Sequence, residues 1–252
     1  MHPRKTLIAL ILVGTLGAHS AANAQDVLTG MFRLSHTTSE IVGPQMAQDL
    51  SEAIAVDEEL QWQVFVPEHY QRQKPAGVFV FVDPNGWGGM PDEFRPVFNN
   101  HNLIWIGAKV NERNPSDRKR IWTAILASRA IEGDYAIDLN RLYVGSSGSG
   151  ALTALNVLLS ANEHSGAIFI RGSQYWHGGM PEGIDNLRRK HYVFITGTND
   201  KSKTTVRRDY ESYKKDGIEN AKLIFAMGAL GRMPDPEQMD AAIRYLDSRL
   251  QR

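Results

Sequence analysis

The chain of 252 residues carries 28 lysines and arginines against 28 aspartates and glutamates, so its formal net charge at pH 7 is zero. Because nucleic-acid binding depends on basic side chains that neutralise phosphates, this balance gives no indication of a nucleic-acid partner. The sequence has no cysteine, which excludes disulfide bonds and a lipid anchor on an N-terminal cysteine.

Residues 1–24 have the pattern of a cleavable export signal. Arg4 and Lys5 give a basic start, residues 7–16 form a short apolar run, and residues 22–24 (Ala-Asn-Ala) fit a small-x-small cleavage site. We expect cleavage after residue 24 and a periplasmic or secreted mature chain. The apolar run is too short for a membrane span, and a retained amphipathic anchor is the alternative.

Residues 25–252 are predicted to form a single α/β domain. Apolar runs typical of strands buried on both faces recur along the chain, at Trp62–Val66, Val78–Val82, Leu103–Ile106, Leu142–Val144, Ile168–Ile170, Tyr192–Ile195 and Leu223–Phe225. Helical patterns alternate with them, at Asp117–Glu132, Ala151–Leu159, Ser202–Lys215 and Pro236–Leu250. This alternation predicts a mostly parallel central sheet with helices on both faces, and functional loops past the carboxyl ends of the strands.

A turn rich in glycine and serine, residues 145–150 (Gly-Ser-Ser-Gly-Ser-Gly), joins a predicted strand to a predicted helix. A serine nucleophile requires such a turn, with small residues two positions before and after it, and Gly145 and Ser149 meet this requirement around Ser147. A plain flexible loop is one alternative. A phosphate-binding loop is another, although the turn follows a late strand and matches no dinucleotide or Walker pattern.

Four segments in a characteristic order carry a resemblance to a known family. They are the turn at 143–150, the loop Val82-Asp83-Pro84-Asn85-Gly86, the segment Thr196-Gly197-Thr198-Asn199-Asp200, and Met233-Pro234-Asp235-Pro236-Glu237 before the last helix. Over roughly residues 60–250 the chain resembles the α/β-hydrolase superfamily, and within it the secreted poly(3-hydroxybutyrate)-depolymerase-like esterases.

The resemblance implies roles for individual residues. Ser147 matches the nucleophile and Asp200 the triad acid, for which capping the following helix is the alternative role. The N–H of Gly148 matches one donor of the oxyanion hole, and the loop at Asn85 and Gly86 matches the place that supplies the second. The implied substrate is a small-molecule or polymeric ester, and neither a metal nor an organic cofactor is expected.

The histidine of the triad is missing. The family places it before the last helix, where this chain has Gly231, and no histidine follows His191. His101, His164 and His191 precede or begin predicted strands, at the opposite edge of the sheet. His177 lies in the loop after the strand that follows the turn, so we hypothesise that it is a relocated base; an ordinary loop histidine is the alternative.

Other side chains are candidates for contact with a ligand. Trp87, Tyr175 and Trp176 follow predicted strands and are interpreted either as substrate-binding walls or as packing residues. Arg171 and Arg232 lie near the predicted rim, where an arginine can bind a carboxylate but cannot act as a base; plain solvation is the alternative.

Two functions therefore compete. The turn favours an exported carboxylic-ester hydrolase that uses Ser147, through an acyl-enzyme, with a noncanonical or degenerate triad. Gly231 favours a catalytically inactive pseudo-hydrolase that keeps the fold and binds a ligand or a protein. A transferase that uses the same turn with another acceptor is a third interpretation.

Overall fold

The computed structural model describes residues 27–109, 116–176, 179–231 and 233–248. The predicted export signal, His177 and Arg232 lie outside these residues. Within them, the strands are β1 Gly30–Thr37, β2 Glu59–Val66, β3 Ala76–Val82, β4 Leu103–Lys109, β5 Ile137–Ser147, β6 Gly166–Ile170, β7 His191–Gly197 and β8 Ala221–Ala226. The helices are α1 Thr38–Val42, α2 Pro44–Asp49, α3 Arg95–Asn100, α4 Asp117–Glu132, α5 Ala151–Ser160, α6 Ile184–Arg189, α7 Lys203–Lys215 and α8 Pro236–Asp247.

All eight of these strands form one sheet in the order β1-β2-β4-β3-β5-β6-β7-β8. β2 pairs antiparallel with both β1 and β4, and every other pairing is parallel. The predicted mostly parallel sheet is therefore confirmed, and its carboxyl-terminal edge gathers the loops that follow β3, β5, β6, β7 and β8.

Helices cover both faces of the sheet, because successive side chains of a buried strand point to opposite sides. Along β3, Val78 and Val80 belong to the apolar cluster that includes side chains of α4, α5 and α7. Phe79 and Phe81 belong to the cluster on the other face, with side chains of α3 and α8. This alternation explains why β3 is buried at every position.

The starts of α4 and α8 are fixed by side-chain caps. Ser116 accepts a hydrogen bond from the backbone N–H of Lys119 at the start of α4. Asp235 and Gln238 form a reciprocal capping box at the start of α8, where Pro236 occupies the first turn. Such caps satisfy N–H groups that have no partner inside the helix, so both helices begin at the predicted residues.

The amino-terminal edge of the sheet holds the histidines that were predicted to lie there. His101 ends α3 before β4, His164 precedes β6, and His191 is the first residue of β7. None of the helices in the described part of the chain combines the length and apolar character that a membrane crossing requires.

Candidate active site

The turn after β5 places glycine, rather than serine, at its corner. Ser147 is the last residue of β5 and has extended backbone angles, φ −118° and ψ 145°. The left-handed conformation falls on Gly148, with φ 51°, and a short 3-10 turn then leads into α5. This corrects the prediction that Ser147 occupies the corner of the tight turn.

The requirement for small residues also centres on Gly148. Two positions earlier, Ser146 is fully buried, and two positions later a Cβ on Gly150 would lie 2.7 Å from the carbonyl oxygen of Val82. Gly145, which the sequence analysis assigned to this role, instead leaves room for the ring of Phe79, since a Cβ there would lie 2.0 Å from the Cζ atom. The position that has the surroundings of a nucleophile therefore carries no side chain.

The space above Gly148 is open. A Cβ built on Gly148 would meet no atom within 4 Å. The loop after β6 packs directly against the same turn, because a Cβ on Gly172 would lie 2.1 Å from the carbonyl oxygen of Gly148. A side chain at position 148 would therefore project freely beside the loop that begins with Arg171.

Asp200, the predicted triad acid, is buried in the loop after β7. Its carboxylate is 2% exposed. The Oδ2 atom accepts hydrogen bonds from the N–H of Gly197 (2.7 Å) and the hydroxyl of Thr196 (3.4 Å), and Oδ1 accepts one from the N–H of Leu230 (3.1 Å). The residue that precedes α7 is Ser202, so the side chain of Asp200 links β7 to the loop after β8 instead of capping that helix.

An arginine contacts both the acid and the position where the family has histidine. The Nε atom of Arg171 lies 3.7 Å from Oδ1 of Asp200, and its Nη1 atom donates a 2.7 Å hydrogen bond to the carbonyl oxygen of Gly231. Arg171 adopts a left-handed φ of 52°, which is unusual for a residue other than glycine. A Cβ on Gly231 would meet nothing within 4 Å, so no side chain fills that place either.

The predicted oxyanion loop directs its N–H groups to its own aspartate. Oδ1 of the buried Asp83 accepts hydrogen bonds from the N–H of Asn85 (2.8 Å) and of Trp87 (3.5 Å), and its carbonyl oxygen accepts one from the N–H of Gly86 (3.0 Å). The prediction that Asn85 and Gly86 donate to a substrate oxyanion is therefore corrected. With the corner at Gly148, the residue that follows the corner is Ser149 rather than Gly148, so the predicted oxyanion donor Gly148 occupies the corner itself.

Tyr175 and Trp176 pack against α7 rather than lining an open cleft. The hydroxyl of Tyr175 and the indole N–H of Trp176 both donate to Oδ2 of Asp216, at 2.7 and 2.9 Å. The two rings lie 4.9 Å apart, and the Trp176 ring lies 4.9 Å from that of Tyr213. Trp176 is 9% exposed and belongs to the core, which favours the packing alternative over a substrate wall. Trp87 is 43% exposed, and its role as a substrate wall stays a prediction.

Comparisons with known proteins identify the fold. No protein-family model matches the chain, and no curated protein matches it. Among solved structures, the feruloyl esterase module from Clostridium thermocellum complexed with sinapinate has a TM-score of 0.63 at 14% identity, covering 86% of this chain and 87% of that one. The apo form of Thermogutta terrifontis esterase 2 has a TM-score of 0.55 at 18% identity, covering 77% of this chain and 90% of that one. The described chain thus has the α/β-hydrolase fold, with glycine at the corner of the turn after β5.

Proposed function

We propose that this protein is a pseudo-hydrolase, an α/β-hydrolase-fold protein that binds a ligand or a protein without hydrolysing an ester. One observation carries the proposal: the left-handed corner after β5 is Gly148, which has no nucleophilic atom. Ser147 lies one residue earlier in extended backbone, so its hydroxyl is not displayed by the strained corner that exposes a hydrolase nucleophile.

The remaining triad positions support the same function. A serine hydroxyl is a poor nucleophile near pH 7 unless a base removes its proton. Asp200 has Arg171 beside it in place of an imidazole, and a guanidinium does not accept a proton in this pH range. Among the described residues, the histidine at the carboxyl-terminal edge of the sheet is His36 near the end of β1, and three strands, β2, β4 and β3, separate β1 from β5.

Labelling with a fluorophosphonate probe and hydrolysis of p-nitrophenyl butyrate test the proposal. We expect no labelled serine, and the same hydrolysis rate with the wild type, with Ser147→Ala and without protein. Ser149→Ala is the matched control for loss of a neighbouring hydroxyl. Labelling that disappears in Ser147→Ala but persists in Ser149→Ala would overturn the proposal.

A carboxylic-ester hydrolase is the second candidate function, because the solved structures of similar fold include proteins named as esterases. In this alternative Ser147 attacks a small-molecule or polymeric ester, with Asp200 and a relocated His177 as partners. His177→Ala distinguishes the two functions, since it lowers ester hydrolysis only if this residue is the base. Equal rates for the wild type and His177→Ala count against the relocated triad.

We also propose that the chain is exported to the periplasm or the medium. The support is the basic start, short apolar run and Ala-Asn-Ala site within residues 1–24. N-terminal sequencing of the protein expressed with its own leader should find Gln25 as the first residue of an extracytoplasmic fraction. A full-length chain confined to the cytoplasm would contradict export.

A further inference from the structure

A cavity open to solvent lies at the edge of the sheet opposite Gly148, near the amino-terminal ends of β5, β6 and β7. Its volume is about 230 Å³, far above the roughly 10–15 Å³ that a single water requires. Charged and polar side chains line it, among them Asn140, Glu163, His164, Arg189, Lys190 and His191. Neither proposed function involves this edge of the sheet.

Lys190 is a buried cation without a carboxylate partner. The residue is 4% exposed, and its Nζ atom donates to the carbonyl oxygens of Asn162, at 3.1 Å, and of His164. Within the described residues no carboxylate lies at ion-pair distance from it. Burial lowers the pKa of Lys190 to about 8, against a smaller opposing effect of the more distant Glu163. A buried ammonium group is costly without a counter-ion, so an anion in the cavity would stabilise it.

A second cation, Arg189, and an imidazole without hydrogen bonds, His164, also line the cavity. Arg189 is exposed at the cavity and, in the described part of the chain, has no ion-pair partner. His164 is 1% exposed, and neither of its ring nitrogens makes a hydrogen bond of acceptable geometry, although the carbonyl of Ala161 lies near the ring. Burial lowers the pKa of His164 to about 4, so its neutral ring keeps one N–H donor in need of an acceptor at pH 7.

We infer that this cavity is a binding site for a small oxyanion of the phosphate type. Lys190 supplies a buried charge, and Arg189 supplies planar N–H donors that suit two oxygens at once. A metal ion fits less well, because the described His, Asp and Glu side chains form no group of three that could hold one. The inference does not depend on whether the α/β-hydrolase site is active.

Isothermal titration of the whole protein with sodium phosphate, sodium sulfate and methyl phosphate, at pH 7 and constant ionic strength, tests the inference. We expect saturable phosphate binding that is at least tenfold weaker in Arg189→Gln and in Lys190→Met. Glu163→Gln should tighten binding, because it removes the negative charge that lines the cavity. Arg207→Gln is the matched control, since it removes an exposed arginine that pairs with Glu211 on α7 and should leave the affinity unchanged.

The outcomes separate the possible sources of the anion. Equal affinity for methyl phosphate and inorganic phosphate supports a site for the phosphate group of a larger molecule, whereas exclusive binding of the inorganic ions supports a site for the free ion. No saturable binding by the wild type, or an unchanged affinity in Arg189→Gln, overturns the inference. If Lys190→Met does not fold, Arg189→Gln and Glu163→Gln decide the question, because both residues are exposed.

Discussion

Arg171 donates a hydrogen bond of 2.7 Å to the carbonyl oxygen of Gly231, and so joins the loop after β6 to the loop that would hold a catalytic histidine. The same guanidinium lies 3.7 Å from the carboxylate of Asp200. An imidazole at position 231 would have to share that carboxylate with a cation. Arg171 therefore bridges the predicted acid and the loop at Gly231.

Rebuilding hydrolysis should require three changes. Gly148→Ser supplies a hydroxyl at the open corner, Gly231→His supplies a base, and Arg171→Ala frees Asp200 to accept the imidazole N–H. We expect the triple variant to hydrolyse p-nitrophenyl butyrate about 100-fold faster than the wild type, the lower end of what general-base catalysis contributes. The left-handed backbone at position 148 opposes the serine by about 1–2 kcal/mol, so circular dichroism should accompany the rate measurement.

The double variant Gly148→Ser/Gly231→His, which keeps Arg171, is the control for this gain. It should remain near the wild-type rate, because the cation stays beside Asp200. Equal rates in the double and triple variants would show that Arg171 does not block the acid. A triple variant that folds but gains no labelling by fluorophosphonate would contradict the placement of the nucleophile position at Gly148.

Gly145 is predicted to be a packing residue of β5. Gly145→Ala places a methyl group against the ring of Phe79, with 2.0 Å between the Cβ and Cζ atoms, and should lower the free energy of unfolding by about 1–3 kcal/mol. Gly133→Ala is the matched control, because its backbone is helical (φ −66°) and its Cβ would meet no atom within 4 Å. Urea unfolding should show Gly133→Ala neutral or slightly stabilising, and equal effects of the two substitutions would refute the packing role.

The sequence predicts the turn after β5 but leaves its register open by one residue. Residues 145–150 are all glycine or serine, so small residues flank both Ser147 and Gly148 at the required spacing. The strand pairing determines which of the two residues occupies the corner. Ser146 pairs with Val82 of β3 and Ser147 pairs with Ile170 of β6, so β5 continues through Ser147 and the corner falls on Gly148. The contact of Gly145 with Phe79 is a tertiary contact that the local pattern does not reveal.

Trp176 and Trp87 are predicted to differ sharply in their contribution to stability. Trp176→Ala removes a core ring and leaves Asp216 without an indole donor, so it should lower the free energy of unfolding by about 3–5 kcal/mol. Trp87→Ala, at a side chain that is 43% exposed, should cost less than about 1 kcal/mol. Chemical denaturation of both variants tests this difference, and similar losses would contradict the assignment of Trp176 alone to the core.

The parallel strands and long helices could be predicted because their apolar runs are continuous or periodic. The predicted bounds of α4, Asp117–Glu132, are those observed, and β6, β7 and β8 lie within two residues of the predicted segments at each end. β1 could not be predicted in this way. It is an antiparallel edge strand with no fully buried residue, so Arg33 and Ser35 interrupt its apolar pattern at exposed positions.

A hydrogen-bonded cluster around His101 and Asp247, at the amino-terminal edge of the sheet, should make the stability of the fold depend on pH. This cluster is separate from the candidate active site. His101 contacts Asp240 at 2.8 Å and Asp247 at 3.3 Å, and Arg141 and Tyr143 also donate to Asp247. Burial opposes a charge on His101, but the hydrogen bonds to Asp247 and Asp240 outweigh it and raise the pKa of His101. Burial likewise opposes a charge on Asp247, yet its hydrogen bonds with His101 and Arg141 lower its pKa to about 2.

The signs of these two shifts define the pH range in which the cluster contributes fully. Because the pKa of His101 is raised on folding, its contribution is complete below the unfolded value of 6.5 and is lost as the pH rises through the folded value. The pKa of Asp247 is lowered, so its contribution is complete above 3.8 and is lost as the pH falls toward about 2. The cluster should therefore stabilise the fold most between these limits.

His101→Gln should lose more stability at pH 5.5 than at pH 9, because the contribution of the charged pairs with Asp240 and Asp247 is complete at pH 5.5 and declines as the pH rises through the raised pKa of His101. Asp247→Asn should lower the free energy of unfolding by about 2 kcal/mol at pH 5.5, because folding lowers the pKa of this mostly buried carboxylate from 3.8 to about 2. His69→Gln, at an exposed position outside this cluster, controls for the loss of a histidine. Urea unfolding at both pH values measures these differences, and a His101→Gln effect that is equal at pH 5.5 and pH 9 would show that the imidazole contributes through packing rather than through its charge.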